Sequence, residues 1–388
     1  MMATAKHYQN FNAIRLIAAS SVVFSHAFLI ATGSEATEPL FFTGRVTAIY
    51  GVFVFFVLSG FLVTESARRS PDLVDYLRKR FLRIAPAFVV STLLITYALC
   101  PLFATEGAWN FIQDSSTFRE VMLVLFFHTD SLYFQNVSFF IPPADAEYLP
   151  HVANGVLWTI RLEVLSYVFV GALLVLSLLK GKGQWLAGAL VAAIALLSLA
   201  YINHASSKWL GGLLFVAPSF CCGIAMNLLV RIHKPQARIA GLLLLGLIPA
   251  LYYGVLPQAF PFLAAYPLIW LGSARFPPFA WVGEKSDISY GMYLYGWPIT
   301  LLLRGALGDG LNGYEMALLA MPLTAIVALL SWRLIEEPAL RFKKRGVTTA
   351  VPEPAVLLSP MPVQRRAVDG YMDKRFGIGA KAASEPAE

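Results

Sequence analysis

NAIRLIAASSVVFSHAFLIA, Asn12–Ala31, is the stretch that decides how the rest of the chain is read. It holds roughly 20 mostly apolar residues, and at ~1.5 Å per residue it crosses the hydrocarbon core of a bilayer. Two ionisable side chains interrupt it, Arg15 near the start and His26 near the far end. Their eleven-residue spacing at ~100° per residue puts them nearly in line, ~16 Å apart on one helix face. Ionisable groups at membrane depth are costly and face a cavity or a partner. The stripe therefore reads as the wall of a passage. The alternative is that Arg15 snorkels to the headgroups while His26 makes a structural hydrogen bond within a bundle.

The whole chain carries the same signature. Of its 388 residues, 57% are hydrophobic and only 14% charged, with mean hydropathy +0.64. A soluble domain carries about 25% charged residues. The apolar excess falls in repeated long runs, which marks a polytopic membrane protein. The net charge of +7 lies mostly between the runs and in the tail, so it reads as membrane topology rather than as a nucleic-acid surface. Cys100, Cys221 and Cys222 lie in or beside apolar runs without metal-ligand spacing, so they read as small core residues and no metal is expected. The first run holds charges and is followed by acidic loop residues, which argues against a cleaved signal peptide.

Hydropathy predicts an all-α, polytopic membrane helix bundle of about ten spans. They fall at Asn12–Ala31, Ala48–Glu65, Arg83–Ala104, Asn154–Leu179, Gln184–Asn203, Trp209–Val230, Arg238–Gly254, Pro257–Gly272, Asp287–Arg304 and Glu315–Ile335. Val121–Phe127 is too short to cross and reads as a re-entrant or interfacial element. The distribution of base supports this count. Lys6, the Arg68–Arg83 cluster, Lys180 and Lys182, Arg231, Lys234 and Arg238, Arg275 and Lys285, and Arg341 to Arg345 all fall on one side. The opposite loops are richer in acid, with Glu35 and Glu38 in one and Glu106, Asp114, Asp130, Asp145 and Glu147 in another. Both termini are then cytoplasmic. Residues 1–341 form the transmembrane domain, and 342–388, rich in Pro, Ala and charge, a flexible cytoplasmic tail.

Five segments could carry chemistry. Neutral imidazole at His26 can act as a general base, with Glu35 or Glu163 as the orienting carboxylate. In GVFVFFVLSGFLV, Gly51–Val63, the Ser59-Gly60 pair allows either close helix approach or backbone exposure to a ligand. In YLRKRFLRIAP, Tyr76–Pro86, Arg80 and Arg83 share a face and suit phosphate, although topology-setting base explains them equally well. In LWTIRLEVLSY, Leu157–Tyr167, Arg161 and Glu163 are two apart, point to different faces and each need a partner elsewhere. ISYGMYLYGWPI, Ile288–Ile299, predicts a helix kinked at Pro298, and Glu336–Pro338 close the last span.

In this order the segments resemble the membrane acyltransferase family 3 proteins. The family's Arg-x10-His is matched by Arg15 and His26, its FFxLSGF by Phe55–Phe61, and its RxxRIxP by Arg80, Arg83 and Pro86. Its tryptophan five residues before glutamate is matched by Trp158 and Glu163, its SYxxYLxHxP by Ser289–Pro298, and its E-x-P by Glu336–Pro338. The resemblance covers about Asn12 to Arg341. The chain departs from the pattern at Asn12, where an acid often stands, and at Gly296, where a histidine often stands. The second departure shifts weight to His26. No hydrolase-like extension is expected after the last span.

The resemblance implies transfer of an acyl group, acetyl above all, from cytoplasmic acyl-CoA to a carbohydrate hydroxyl. Acyl-CoA would be a donor substrate, with no permanently bound cofactor. Arg80 and Arg83 would hold its phosphates, with Arg15, Ser59 and Tyr290 along the donor route. His26 would act as base with Glu35 or Glu163 orienting it, and an acyl-histidine intermediate stays open. The acceptor would be exopolysaccharide, O-antigen, lipo-oligosaccharide or a lipid-linked sugar. The setting would be the bacterial cytoplasmic (inner) membrane, with homo-oligomerisation open. A glycan exporter or flippase that needs no acyl donor is the competing class.

Overall fold

The computed structural model describes residues 10–141, 147–201, 207–274 and 286–342. Lys6, Asp145, the end of the fifth expected span, Arg275, Lys285 and the tail from residue 343 lie outside the described residues.

The described chain is a helical bundle. Helix α1 (Phe11–Thr32) ends at Gly33, whose left-handed φ of 74° lets its N–H reach the Leu29 carbonyl. Its start is tied down by Asn10, whose Nδ2 donates to the Leu271 and Ala274 carbonyls at 2.8 Å each. Helix α2 (Thr47–Arg69) returns, and α3 (Leu73–Leu94) continues through a π turn at Ile95–Leu99. Two short helices follow, α4 (Ala108–Gln113) and α5 (Ser115–Leu125). Strands β1 (Leu132–Tyr133) and β2 (Val152–Asn154) pair antiparallel. The remaining helices are α6 (Trp158–Val175), α7 (Gly183–Tyr201), α8 (Lys208–Leu229), α9 (Ala237–Leu245), α10 (Leu247–Tyr252), α11 (Leu256–Ser273), α12 (Ser289–Leu307), α13 (Gly313–Ser331) and α14 (Glu337–Arg341).

Seven of the described helices are long and apolar enough to cross a membrane: α1, α2, α3, α6, α7, α8 and α13 with its extension. The stretch spanning α9 and α10 is apolar but shorter. Large apolar side chains such as Leu186, Leu196 and Leu318 are left exposed, which suits contact with lipid chains.

Between helices in lipid, close van der Waals approach replaces the hydrophobic drive of water. Gly60 supplies it where α2 packs on α8. A Cβ there would stand 2.1 Å from the Phe220 carbonyl oxygen, and one on the facing Gly223 would stand 2.1 Å from that of Val57. Of the two roles open to Ser59-Gly60, the glycine takes the packing one.

Some boundaries differ from expectation. Helix α3 starts at Leu73 because the Asp72 side chain caps the Asp75 N–H at 2.8 Å. Arg80 and Arg83 are therefore two to three turns inside a helix, not at its start, so no helix terminus assists them. Helix α6 starts at Trp158, after β2 ends at Asn154 and a turn at 155–157. Asp287 precedes α12 rather than lying in it. The Val121–Phe127 run is the last turn of α5 and the two residues after it; α5 is eleven residues long, or ~16 Å, too short to span.

Candidate functional site

Four charges from distant parts of the chain meet at one end of the bundle. A single oxygen of Asp287, Oδ2, accepts from Arg15 Nη1 and from Arg83 Nη2, each at 2.7 Å. The other Nη of Arg83 approaches Glu336 at 3.6 Å. The Ser289 hydroxyl donates to the second Asp287 oxygen at 2.6 Å. All four charged side chains are at least four-fifths shielded. Burying two guanidiniums requires such acids, because an unpaired buried charge costs several kcal/mol.

Beside this cluster lies a cavity of about 110 Å³ between α1, α2, α3, α6 and α12. Its lining includes Arg15, Ser59, Arg80, Arg83, Glu163 and Tyr290, so six of the eight sequence-predicted site residues surround one cavity. Phe55, Phe56, Ile160 and Tyr293 make the remainder largely apolar. Arg80 is the least neutralised cation there. Its Nη2 donates to the Ser66 hydroxyl at 3.1 Å, its guanidinium lies 5.7 Å from the Tyr167 ring centroid, and its buried Nε has no partner. Arg83 lies over Tyr290, also at 5.7 Å. Glu163 accepts from the Tyr167 hydroxyl. The Ser59 hydroxyl is buried without a partner.

His26 and Glu35 do not line this cavity. The His26 ring meets Trp297 edge to face with centroids 4.8 Å apart, and its buried Nδ1 has no hydrogen-bond partner. Trp297 is held by its Nε1–H to the Val152 carbonyl at 2.8 Å. Tyr290, Tyr293 and Trp297 are spaced three and four apart, so they share one face of α12. That face runs from the arginine end of the cavity to His26. The orienting role expected of Glu35 or Glu163 is not seen as a bond to His26. Glu35 is exposed on a 3-10 turn, and Glu163 is turned to Tyr167 and the cavity. The carboxylate that turns inward beside α1 is Glu38, which accepts from the Ser25 hydroxyl and the Thr47 N–H at 2.6 Å each. Glu35 stays outside, and partial desolvation with Glu38 beside it raises its carboxyl above the ordinary value.

A profile of the acyltransferase domain family matches residues 8–335. The chain belongs to this family. It is 29% identical over 369 residues to nodulation protein 10 of Rhizobium leguminosarum bv. viciae, covering 87% of this chain and 94% of that one. It is 28% identical over 342 residues to the O-acetyl transferase of Shigella phage Sf6, covering 84% and 94%. A peptidoglycan O-acetyltransferase of Listeria monocytogenes is 25% identical over 339 residues, covering 74% of this chain and 50% of that one. No solved structure matches.

This multi-pass membrane acyltransferase has a physical reason for its glycine at 296. A Cβ there would stand 2.5 Å from Val23 Cγ2 on α1. A histidine at this position would push α1 and α12 apart. Asp287 and Glu38 were missed as site residues by sequence reasoning. Hydropathy puts Asp287 at the edge of a span, and its partners lie 272 and 204 residues away. Within the loop carrying both Glu35 and Glu38, nothing local says which carboxylate turns in. Arg161, by contrast, needed a partner elsewhere and has two, Asp130 at 3.3 Å and the Trp209 ring at 5.2 Å.

Proposed function

We propose that the protein transfers an acyl group, acetyl above all, from acyl-CoA to a hydroxyl of a carbohydrate acceptor. The observation carrying this reading is the cavity whose one end gathers three arginines and whose apolar wall on α12 continues toward His26. Ten spans with both termini cytoplasmic, in the cytoplasmic membrane of a bacterium, put the arginine end inside and His26 near the outer face. Two of the relatives above are named as O-acetyltransferases, which supports the acetyl assignment.

The roles follow from charge and reach. Arg80, with neutral partners only, takes a donor phosphate. Arg15 and Arg83 keep the mouth positive but are held by Asp287, so they shape the entry more than they grip. The pantetheine arm, slender and partly apolar, follows the wall of Phe55, Tyr290 and Tyr293, with Ser59 and Glu163 available to its amides. The thioester comes to His26. The imidazole takes the proton of the sugar hydroxyl, the oxygen attacks the thioester carbon, the C–S bond breaks, and the leaving thiolate receives the proton back. General-base catalysis of this kind contributes roughly 10²–10⁴-fold.

The test is transfer of labelled acetyl from acetyl-CoA to surface glycan by membranes carrying wild type, His26→Ala or Arg80→Ala. His26→Ala is expected to lose transfer by at least roughly a hundredfold while still binding acetyl-CoA. Arg80→Ala is expected to raise KM for the donor. Wild-type transfer by a folded His26→Ala protein sinks the base assignment. Surface glycan that is lost without this protein, and that never carries label, favours an exporter.

A further inference from the structure

Trp297, the ring on which His26 rests, is itself gripped by a stretch of non-helical backbone. Residues 152–156, which are β2 and the two residues after it, run alongside α12 in the opposite direction. Three side-chain bonds join them in order. Trp297 Nε1–H donates to the Val152 carbonyl at 2.8 Å, Asn154 Nδ2–H to the Leu294 carbonyl at 3.0 Å, and the Tyr293 hydroxyl to the Val156 carbonyl at 2.9 Å. The middle bond answers a defect in α12. Pro298 has no N–H for the Leu294 carbonyl one turn back, and Asn154 supplies the missing donor. Asn154 Oδ1 in turn accepts from the Val156 N–H at 3.2 Å. Val152, Ala153, Asn154 and Val156 are buried, and buried backbone polar groups need such partners. This strap covers one turn of α12, about 6 Å. It reaches from Tyr293, which lines the first cavity, to Trp297, which meets His26.

Gly155 sits where the strap crosses the indole. A Cβ there would stand 2.9 Å from Trp297 Cη2 and 3.0 and 3.1 Å from Cζ2 and Cζ3. Its φ is not in the left-handed region, so the indole, and not the backbone, requires glycine at this position. The contacts form a chain. Val152 and Gly155 fix Trp297, and Trp297 fixes the plane of an imidazole whose buried Nδ1 has no hydrogen-bond partner. A reacting group has to be held to within about 0.5 Å, and packing on Trp297 does for His26 what a carboxylate does elsewhere.

We propose that Gly155 is a positioning residue for His26. The 152–156 strap sets the imidazole through Trp297 and, through Tyr293, keeps it in register with the donor cavity. The effect on rate rests on the acyl-transfer reading above; the effect on the His26 ring does not.

The experiment combines steady-state acetyl transfer by the full chain in membranes with modification of His26 by diethyl pyrocarbonate, resolved by mass spectrometry. Gly155→Ala must push the indole from 2.9 Å to the 3.4 Å at which ordinary contact begins. A misplacement of ~1 Å can cost about a hundredfold, so kcat is expected to fall roughly tenfold. KM for acetyl-CoA is expected to stay unchanged and the rate of His26 modification to shift. Trp297→Phe keeps a ring against His26 but has no N–H for Val152 and lacks the carbons that Gly155 faces; it is expected to lower kcat likewise. In the double variant the new methyl fills the space those carbons leave, so kcat is expected above the product of the two single losses. With His26 essential, wild-type kcat in Gly155→Ala, a loss confined to KM, or single losses that simply multiply in the double variant overturns the proposal. Should Gly155→Ala fail to fold, wild-type kcat in Trp297→Phe overturns it. Should His26→Ala transfer acetyl normally, the base reading falls, and His26 modification alone then decides the strap: altered in Gly155→Ala it stands, unaltered it falls.

Discussion

Asp287→Asn removes one carboxylate from between two guanidiniums without changing the side chain's shape. In the native protein its Oδ2 takes Nη–H bonds from Arg15 and Arg83 at 2.7 Å each, with all three side chains at most one-fifth exposed. Each charge-assisted bond of this kind is worth ~1.5–3 kcal/mol. Removing one member of a buried pair costs ~3–5 kcal/mol because the partner charge stays behind. Two guanidiniums then face each other, with Glu336 at 3.6 Å as the remaining acid for Arg83. The expected loss is therefore about 3–5 kcal/mol, read from thermal unfolding in detergent at neutral pH. A neutral partner separates charge imbalance from lost packing: adding Arg15→Gln to Asp287→Asn should recover part of the loss, giving a coupling in the ~0.5–3 kcal/mol range seen for contacting residues. If Asp287→Asn melts with the wild type, the ion cluster does not hold this end of the bundle together.

Two further perturbations test other parts of the structure. Gly60→Ala places a methyl 2.1 Å from the Phe220 carbonyl, so α2 and α8 must separate; a loss of at least ~1–3 kcal/mol is expected in thermal melts, and an unchanged melt would mean that the two helices are not in that contact. Glu35 holds its proton longer in the folded protein than in the unfolded chain, through desolvation and the neighbouring Glu38. Its ionisation therefore costs nothing below the unfolded value and lowers stability as pH rises through the folded one. Glu35→Gln should accordingly match wild type near pH 3.5 and melt higher at pH 7, whereas a pH-independent difference between the two proteins would refute the shift.

The residues named from sequence and those added by the structure differ in kind. Arg15, Arg80, Arg83 and Glu163 stand out because a charge in an apolar run is conspicuous wherever the chain goes. Ser59 and Tyr290 stand out through the family pattern. Asp287 and Glu38 are charges in loops, where charge is ordinary, and only their contacts make them special. The start of α3 illustrates the same limit. The basic run from Arg78 to Arg83 suggested the cytoplasmic edge of a span, while the Asp72 cap begins the helix earlier and carries Arg83 inward to Asp287.

The amino-acid sequence by itself determined that this chain is a multi-pass membrane bundle, that Arg15 and His26 share a face of one span, and to which family it belongs. These are properties of hydropathy, helical period and motif order, which are local along the chain. Tertiary structure alone decided that Asp287 joins Arg15 to Arg83, that Glu38 rather than Glu35 turns inward, and that His26 rests on Trp297 rather than on a carboxylate. Such pairings depend on which helices approach, and at which depth. That is set by steric contacts such as Gly60 against Phe220 and Gly296 against Val23, between residues 160 and 273 positions apart, and no local pattern along the chain encodes it.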